Sequence, residues 1–409
     1  MTTNLPQISF IIPVRNNLKY LKLCYKSLKN FANNHFIFIL DDNSSDGTKL
    51  WAENLNDENL SYSIYENTEN NSLPLGHTGL YNIGFNLAKE KTEIGVILHA
   101  DMIISQKFVE NLIKHLSHKT IVSATRIEPP IHPVGKEKII MNFGLYDNEF
   151  EEKEFNNFST ILQLENKDKT THGIFAPWMI FIDDYNKLGG MDLLFRPYPH
   201  EDADFFNRAV LNGFDLIQSR DSLCWHFTCK GHKFIEKVGV VHNMFDFYQA
   251  KALRNFLRKW GHPPMMNEYS YPLMIRKYNI GMIIIHATSD ILIKFEPLFD
   301  TIYSDLNLNN LELNNYIESE QKLTSFDLKS KFKSITETKS NEIVCFLDNN
   351  KIDINIFQII MSFKAFIADT INSIELGKLY EYNGISFYKN VINEDHQKYI
   401  DQFKPKNNL

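Results

Sequence analysis

The sequence predicts an α/β fold, a mostly parallel sheet flanked by helices with a small carboxyl-terminal α/β domain behind it. Three observations predict it. Short apolar runs alternate with amphipathic stretches from Ile8 to Leu116. Those runs end abruptly in polar loops rich in helix-capping residues. After His242 a long helical stretch intervenes, and a fresh strand–helix alternation begins near Lys277. With 409 residues the chain exceeds one ordinary core. The expected division is 1–242 for the main domain, 243–276 for a helical connector and 277–409 for the small domain.

Ile8–Pro13 reads as a buried strand stopped by proline. Leu18–Phe31 is a helix, with Leu21, Cys24, Leu28 and Phe31 on one face. Phe36–Leu40 is a second strand and runs into Asp41-Asp42-Asn43-Ser44-Ser45-Asp46-Gly47-Thr48. Lys49–Leu55 continues as a helix, Ser61–Glu66 as a strand, and Asn67–Ser72 as a polar loop. Gly79–Ala88 is helical, and the strand starting at Gly95 stops at His99-Ala100-Asp101. Lys107–Leu116 is a helix and Ile121–Thr125 a strand. Pro129–Lys169 reads as an irregular acidic loop on the strength of its run from Glu149 to Glu154. Gly173–Ile182 is a strand, Tyr185–Gly189 a turn, and Asp204–Leu211 a helix closed by Gly213. Asn243–Trp260 is helical up to the breaker Gly261-His262-Pro263-Pro264. In the last domain Ile280–Ile285 and Ile343–Leu347 are strands; Asp290–Tyr303 and Ile354–Thr370 are helices.

Composition excludes several classes. A hydrophobic share of 43% with 23% charge fits a soluble globular chain. The net charge of −7 and a pI near 6.1 offer no basic footprint for nucleic acid. Four cysteines are too few for a disulfide framework, which points to a reducing, cytoplasmic setting. Met1–Gln7 lacks the pattern of a signal peptide, and no apolar run is long enough for a transmembrane segment.

In open α/β sheets chemistry collects at the carboxyl ends of the strands. Asp101 at such an end can hold a hard divalent cation, and His226 offers a second ligand for it. Two adjacent carboxylates, Asp41 and Asp42, exceed what a helix cap requires, and a carboxylate there can accept an imide N–H of uracil. Pro13, Arg15 and Asn16 end the neighbouring strand and share that crevice. His200-Glu201-Asp202-Ala203-Asp204 opens a helix. A first-turn position favours the carboxylate anion at some cost in basicity, and Asp204 faces Arg208 at i+4. Cys224, His226, Cys229 and His232 allow a zinc reading, although the spacing does not match paired C-x-x-C knuckles.

Taken together, ISFIIPVRNN, ILDDNSSDGT, GLYNIGFNLA, VILHADM, GIFAPWMIFIDDYNKLGGMD, HEDADFFNR and WHF resemble the family 2 glycosyltransferases of the GT-A fold over roughly residues 7–230. The resemblance implies an inverting hexosyltransferase using a nucleotide-sugar donor, a uridine diphosphate sugar, and a glycan or glycoconjugate acceptor. It implies a nucleotide site of Pro13, Arg15, Asn16, Asp41, Asp42, Asn82, His99 and Ala100. Asp101 and His226 would ligate Mn²⁺ or Mg²⁺. Asp202 would be the general base with Glu201 beside it. Trp178, Gly190, Met191 and Asp192 would lie on the acceptor side. Two departures stand out: His99 replaces the first acid of the usual D-x-D, and Tyr81 replaces the basic residue before Asn82. An inactive sugar-nucleotide-binding protein is the rival reading. A nucleotidyltransferase is a third, disfavoured by the absence of a glycine-rich phosphate loop with its lysine.

Overall fold

A computed structural model describes residues 5–65, 73–131, 133–228, 244–352, 355–391 and 395–407. It divides into two compact units. The first holds residues up to 249 and a returning strap, 266–273; the second holds 250–265 and 274–408. The division falls inside a helix, at Gln249/Ala250, so the expected connector is not separate from the two units.

The first unit is built on β1 (Ser9–Val14), β2 (Phe36–Asp41), β3 (Leu60–Ile64), β4 (Ile94–Ile97), β5 (Met102–Ile104), β6 (Thr120–Glu128), β7 (Lys138–Ile140), β8 (Thr170–His172), β9 (Trp178–Phe181) and β10 (Asp215–His226). The main path runs β3-β2-β1-β4-β9-β6-β10-β5. β3, β2, β1 and β4 are mutually parallel. β9 then pairs antiparallel with both β4 and β6, while β10 returns parallel to β6. The sheet is therefore mixed. Helices α1 (Leu18–Phe31), α2 (Thr48–Glu53), α3 (Gly76–Ala88), α4 (Phe108–Ile113), α5 (Glu152–Glu165), α6 (Ile182–Lys187) and α7 (Glu201–Leu211) flank it. β1 and β4 are buried at every position, which is why they read as apolar runs without alternation.

Three expectations are corrected. The supposed acidic loop contains β7 and the 14-residue helix α5. The acids Glu152 and Glu154 sit in the first turn of α5, where the helix dipole favours them, and Phe155 and Leu162 pack beside Trp225. Gly173–Ile182 is strand only from Trp178 to Phe181, and the turn expected at Tyr185–Gly189 begins within α6, which runs to Lys187. The longest strand, β10, had no counterpart among the expected elements.

α8 (Phe245–Trp260) leads out of the first unit and into the second. The second unit has its own core and its own sheet, order β13-β12-β11-β14-β16-β15. These are β11 (Ile280–Ile285), β12 (Thr301–Ser304), β13 (Phe332–Ser334), β14 (Ile343–Asp348), β15 (Leu379–Tyr382) and β16 (Ile385–Lys389). The expected helix Asp290–Tyr303 is shorter, Ser289–Phe295, because Pro297 turns the chain into a 3-10 segment before β12. No described helix is long and apolar enough to cross a membrane.

Candidate active site

The parallel strands β2, β1 and β4 deliver their carboxyl ends to one side of the sheet, at the point where the chain order reverses about β1. The two loops there are tied together. Asn16, at φ 50°, donates its backbone N–H to Ser44 Oγ (2.9 Å), and its Oδ1 accepts the Ser45 N–H (2.7 Å). Asp46 accepts from the Leu18 N–H at 2.8 Å and from Thr48, so it closes the starts of α1 and α2.

Adjacent residues on a strand face opposite ways, and this separates the two aspartates. Asp41 is fully buried and accepts from Tyr62 Oη–H (2.7 Å) and the Ser44 N–H (2.8 Å). It is not among the residues that line the cleft. Asp42 does line it, held by Arg15 (3.3 Å) and by the Gly76 N–H (3.2 Å). Gly76 has φ +56°, and a side chain there would meet Pro197 at 2.4 Å, so no other residue brings this N–H to Asp42 without strain. Pro13, Arg15, Asn16, His99, Ala100 and Asp101 complete this first cleft, together with Tyr198 and Tyr248.

A second cleft begins where the first ends, and His77, His99 and Tyr198 line both. Its far wall holds Glu201, Asp202, Trp178, Met191 and His226. Between the clefts, a carboxylate oxygen of Asp101 and one ring nitrogen each of His99 and His226 lie within 4.8 Å of one another. His226 Nε2 is 3.6 Å from Asp101 Oδ1, and its Nδ1 is 2.8 Å from Glu128 Oε1. Burial disfavours charge on His226, but Asp101 and Glu128 overcome it and push its pKa up to about 9. The His77 ring stacks on His99 with centroids 5.2 Å apart. Burial holds His77 below its ordinary pKa, against the pull of Asp101 and Asp42.

Glu201 is buried, and its Oε2 has no hydrogen-bond partner among the described residues. Burial and the neighbouring Asp202 raise its pKa well above the usual carboxylate range. Burial also raises Asp202, although its Oδ1 accepts the Ala203 N–H at 2.7 Å. The expected loss of basicity at the helix start is thus reversed, because desolvation outweighs the backbone N–H groups. Asp204 pairs with Arg208 Nε at 2.9 Å, as the i+4 spacing anticipates. Arg208 also donates to the carbonyls of Leu188 and Gly190.

Asn82 is not at either cleft. Its Oδ1 accepts from Tyr185 Oη–H (2.6 Å) and the Met191 N–H (2.8 Å), and its Nδ2 donates to the Met191 carbonyl (2.9 Å). The residue expected to touch nucleotide instead clamps the Gly189–Met191 turn. Gly190 has φ +65°, and a Cβ at this position would fall 2.5 Å from Asn82 Oδ1, so glycine is required. Asp192 caps a 3-10 turn through the Leu194 N–H (3.0 Å). Of the four acceptor-side residues, Trp178 and Met191 line the second cleft; Gly190 and Asp192 shape the turn beside it. Cys224 is buried in the core, and Cys229 and His232 of the zinc reading lie outside the described residues. Sequence reasoning did not single out His77, Arg126, Glu128, Tyr198 or Tyr248.

Residues 9–189 match the family model described as Glycosyl transferase family 2. That span takes in Asp42, His99 and Asp101 and stops short of Glu201 and His226. No curated protein sequence matches the chain. Among solved structures, the mannosyltransferase PcManGT from Pyrobaculum calidifontis, in complex with GDP-Man and Mn²⁺, is 19% identical. The match covers 62% of this chain and 63% of that one, with a TM-score of 0.39. GalNAc-T7 with UDP, GalNAc and Mn²⁺ is 13% identical over 81% of this chain and 56% of its own, with a TM-score of 0.44. The chain therefore spans less than two thirds of the length of either. The matched segment lies within the first unit, whose mixed, helix-flanked sheet carries the clefts described above.

Proposed function

We propose that this chain, whose segment 9–189 matches the family 2 glycosyltransferases, moves a sugar from a uridine diphosphate donor to an acceptor hydroxyl with inversion at the anomeric carbon. The observation that carries the reading is the cluster of Asp101, His99 and His226, which lies between a cleft containing Asp42 and a cleft containing the Glu201–Asp202 pair. One carboxylate oxygen and two imidazole nitrogens suit Mn²⁺, with Mg²⁺ the weaker fit. Such a cation supplies charge stabilisation to a leaving diphosphate. Asp42 accepts the imide N–H of the base, and Tyr198 and Tyr248 offer ring faces in the same cleft. Asp202 takes the acceptor proton, and its raised pKa suits it to that role. Glu201, held neutral by its burial and by Asp202, keeps a second negative charge away from the base.

The test is incubation of the chain with a panel of nucleotide sugars and Mn²⁺, reading free nucleoside diphosphate and the anomeric configuration of the product by NMR. Diphosphate release that is lost with EDTA and with Asp101→Asn is expected. Pyrophosphate release would favour nucleotidyl transfer. A retained anomeric configuration would rule out the single displacement.

A further inference from the structure

Glu128 ends β6, beside the end of β10, in a parallel pairing whose register runs Cys224 with Arg126 and Trp225 with Ile127. The pairing brings its carboxylate to His226. Glu128 Oε1 is 2.8 Å from His226 Nδ1, while the other ring nitrogen, Nε2, is the one near Asp101. An imidazole that donates Nδ1–H to a carboxylate keeps its Nε2 lone pair outward and its ring plane fixed. Glu128 is itself immobilised. Arg126 reaches Oε1 at 3.0 Å, Lys138 on β7 reaches Oε2 at 3.2 Å, and the residue is 2% exposed. Arg126 is in turn stacked 3.7 Å over the Phe175 ring, and both cations extend toward Glu137. A carboxylate tied to three partners is not available to take a substrate proton.

We infer that Glu128 is a positioning residue for the cation site, holding His226 in the tautomer and orientation that present Nε2 to a divalent ion beside Asp101 and His99. The inference rests on the proposed cation reading of those three residues. Arg126 and Lys138 serve it indirectly by keeping Glu128 in place. The arrangement also accounts for a four-charge cluster, buried Arg126 and Glu128 with half-buried Glu137 and Lys138, that neither a nucleotide cleft nor a base requires.

The experiment titrates the full chain with Mn²⁺ alone, measuring free Mn²⁺ by electron paramagnetic resonance. Spin-echo modulation then reads imidazole nitrogen coupling in the bound signal. Wild type, Asp101→Asn, Glu128→Gln and Glu128→Ala are compared, with circular dichroism recording the fold. Glu128→Ala should weaken Mn²⁺ binding roughly 10–100-fold and reduce the nitrogen modulation. Glu128→Gln, which keeps an acceptor oxygen and disturbs packing least, should recover part of the loss. If Asp101→Asn weakens binding but both Glu128 variants bind like wild type with full nitrogen modulation, Glu128 has no positioning role. Equal affinity in wild type and Asp101→Asn removes the cation site itself, and the role of Glu128 with it. Should Glu128→Ala not fold, the Gln variant and its modulation amplitude decide alone.

Discussion

Asp202 and Asn82 show how environment assigns the work of a side chain. An acid whose pKa is raised on folding binds its proton more tightly in the native than in the unfolded state. Its contribution to stability is full below the ordinary aspartate value of 3.8 and is lost as the pH climbs through the raised one. Asp202→Asn removes that loss. The variant should therefore gain stability relative to wild type as the pH rises above the ordinary aspartate value of 3.8, read from urea midpoints, while turnover falls by about 10²–10⁴. A stability difference that shrinks with rising pH would contradict the raised pKa. Asn82→Ala should behave in the opposite way. It removes two hydrogen bonds to Met191 and one from Tyr185 and should cost about 1–3 kcal/mol, with calorimetric affinity for uridine diphosphate unchanged. Asp42→Ala should lower that affinity by about 1.5–3 kcal/mol and leave the urea midpoint near wild type. Sequence alone exposed the doublet at 41–42 but not which member faces the cleft. That depends on the pleat at the last residue of β2 and on Tyr62 arriving from β3.

At the level of elements, apolar runs and caps made β1, α1, β2, α3 and β4 legible, because a strand buried on both faces and an amphipathic helix have unmistakable patterns. β10 was hidden for a physical reason. Its middle, Gln218-Ser219-Arg220-Asp221-Ser222, is polar yet largely buried, with a register shift against β6 between Gln218 and Leu223. Those side chains satisfy one another and their neighbours: Ser219 Oγ–H donates to Asp221 (2.8 Å), and Gln218 donates to the Glu137 carbonyl (2.6 Å). Neither an apolar run nor an alternation survives, so the strand that carries His226 cannot be read from its own residues. β6 likewise conceals the role of Glu128, since it is buried throughout and no period separates a working acid from a paired one. α5 was hidden by its acids, and a contrast along it tests the packing. Phe155 is fully buried among Phe143, Phe150 and the Trp225 cluster, whereas Ile161 is 57% exposed. Phe155→Ala should cost about 3–5 kcal/mol, and Ile161→Ala should stay within about 0.5 kcal/mol of wild type. Equal losses in urea melts would mean that α5 does not pack through Phe155.

Among the described residues each unit has its own sheet and its own hydrophobic clusters. Calorimetry should resolve two unfolding transitions. Uridine diphosphate with Mn²⁺ at about 100 times its Kd should stabilise the first unit by about 2.7 kcal/mol and leave the other transition unmoved. A single transition that shifts as a whole would show that the cores do not melt separately. The strap 266–273 adds a consequence for how such a chain can be inherited or cut. It is knitted into the first unit: the Lys136 N–H donates to the Glu268 carbonyl (3.1 Å), the Tyr269 carbonyl lies against Gly173, and Tyr271 packs on the core. The polypeptide thus crosses between units at 249/250, 265/266 and 273/274. A stop codon after Gln249 would deprive the first unit of its last stitch, and one after Leu273 would leave it trailing a helix torn from the other core. No single cut in the polypeptide therefore separates the two units, and neither becomes a portable cassette by truncation at one point.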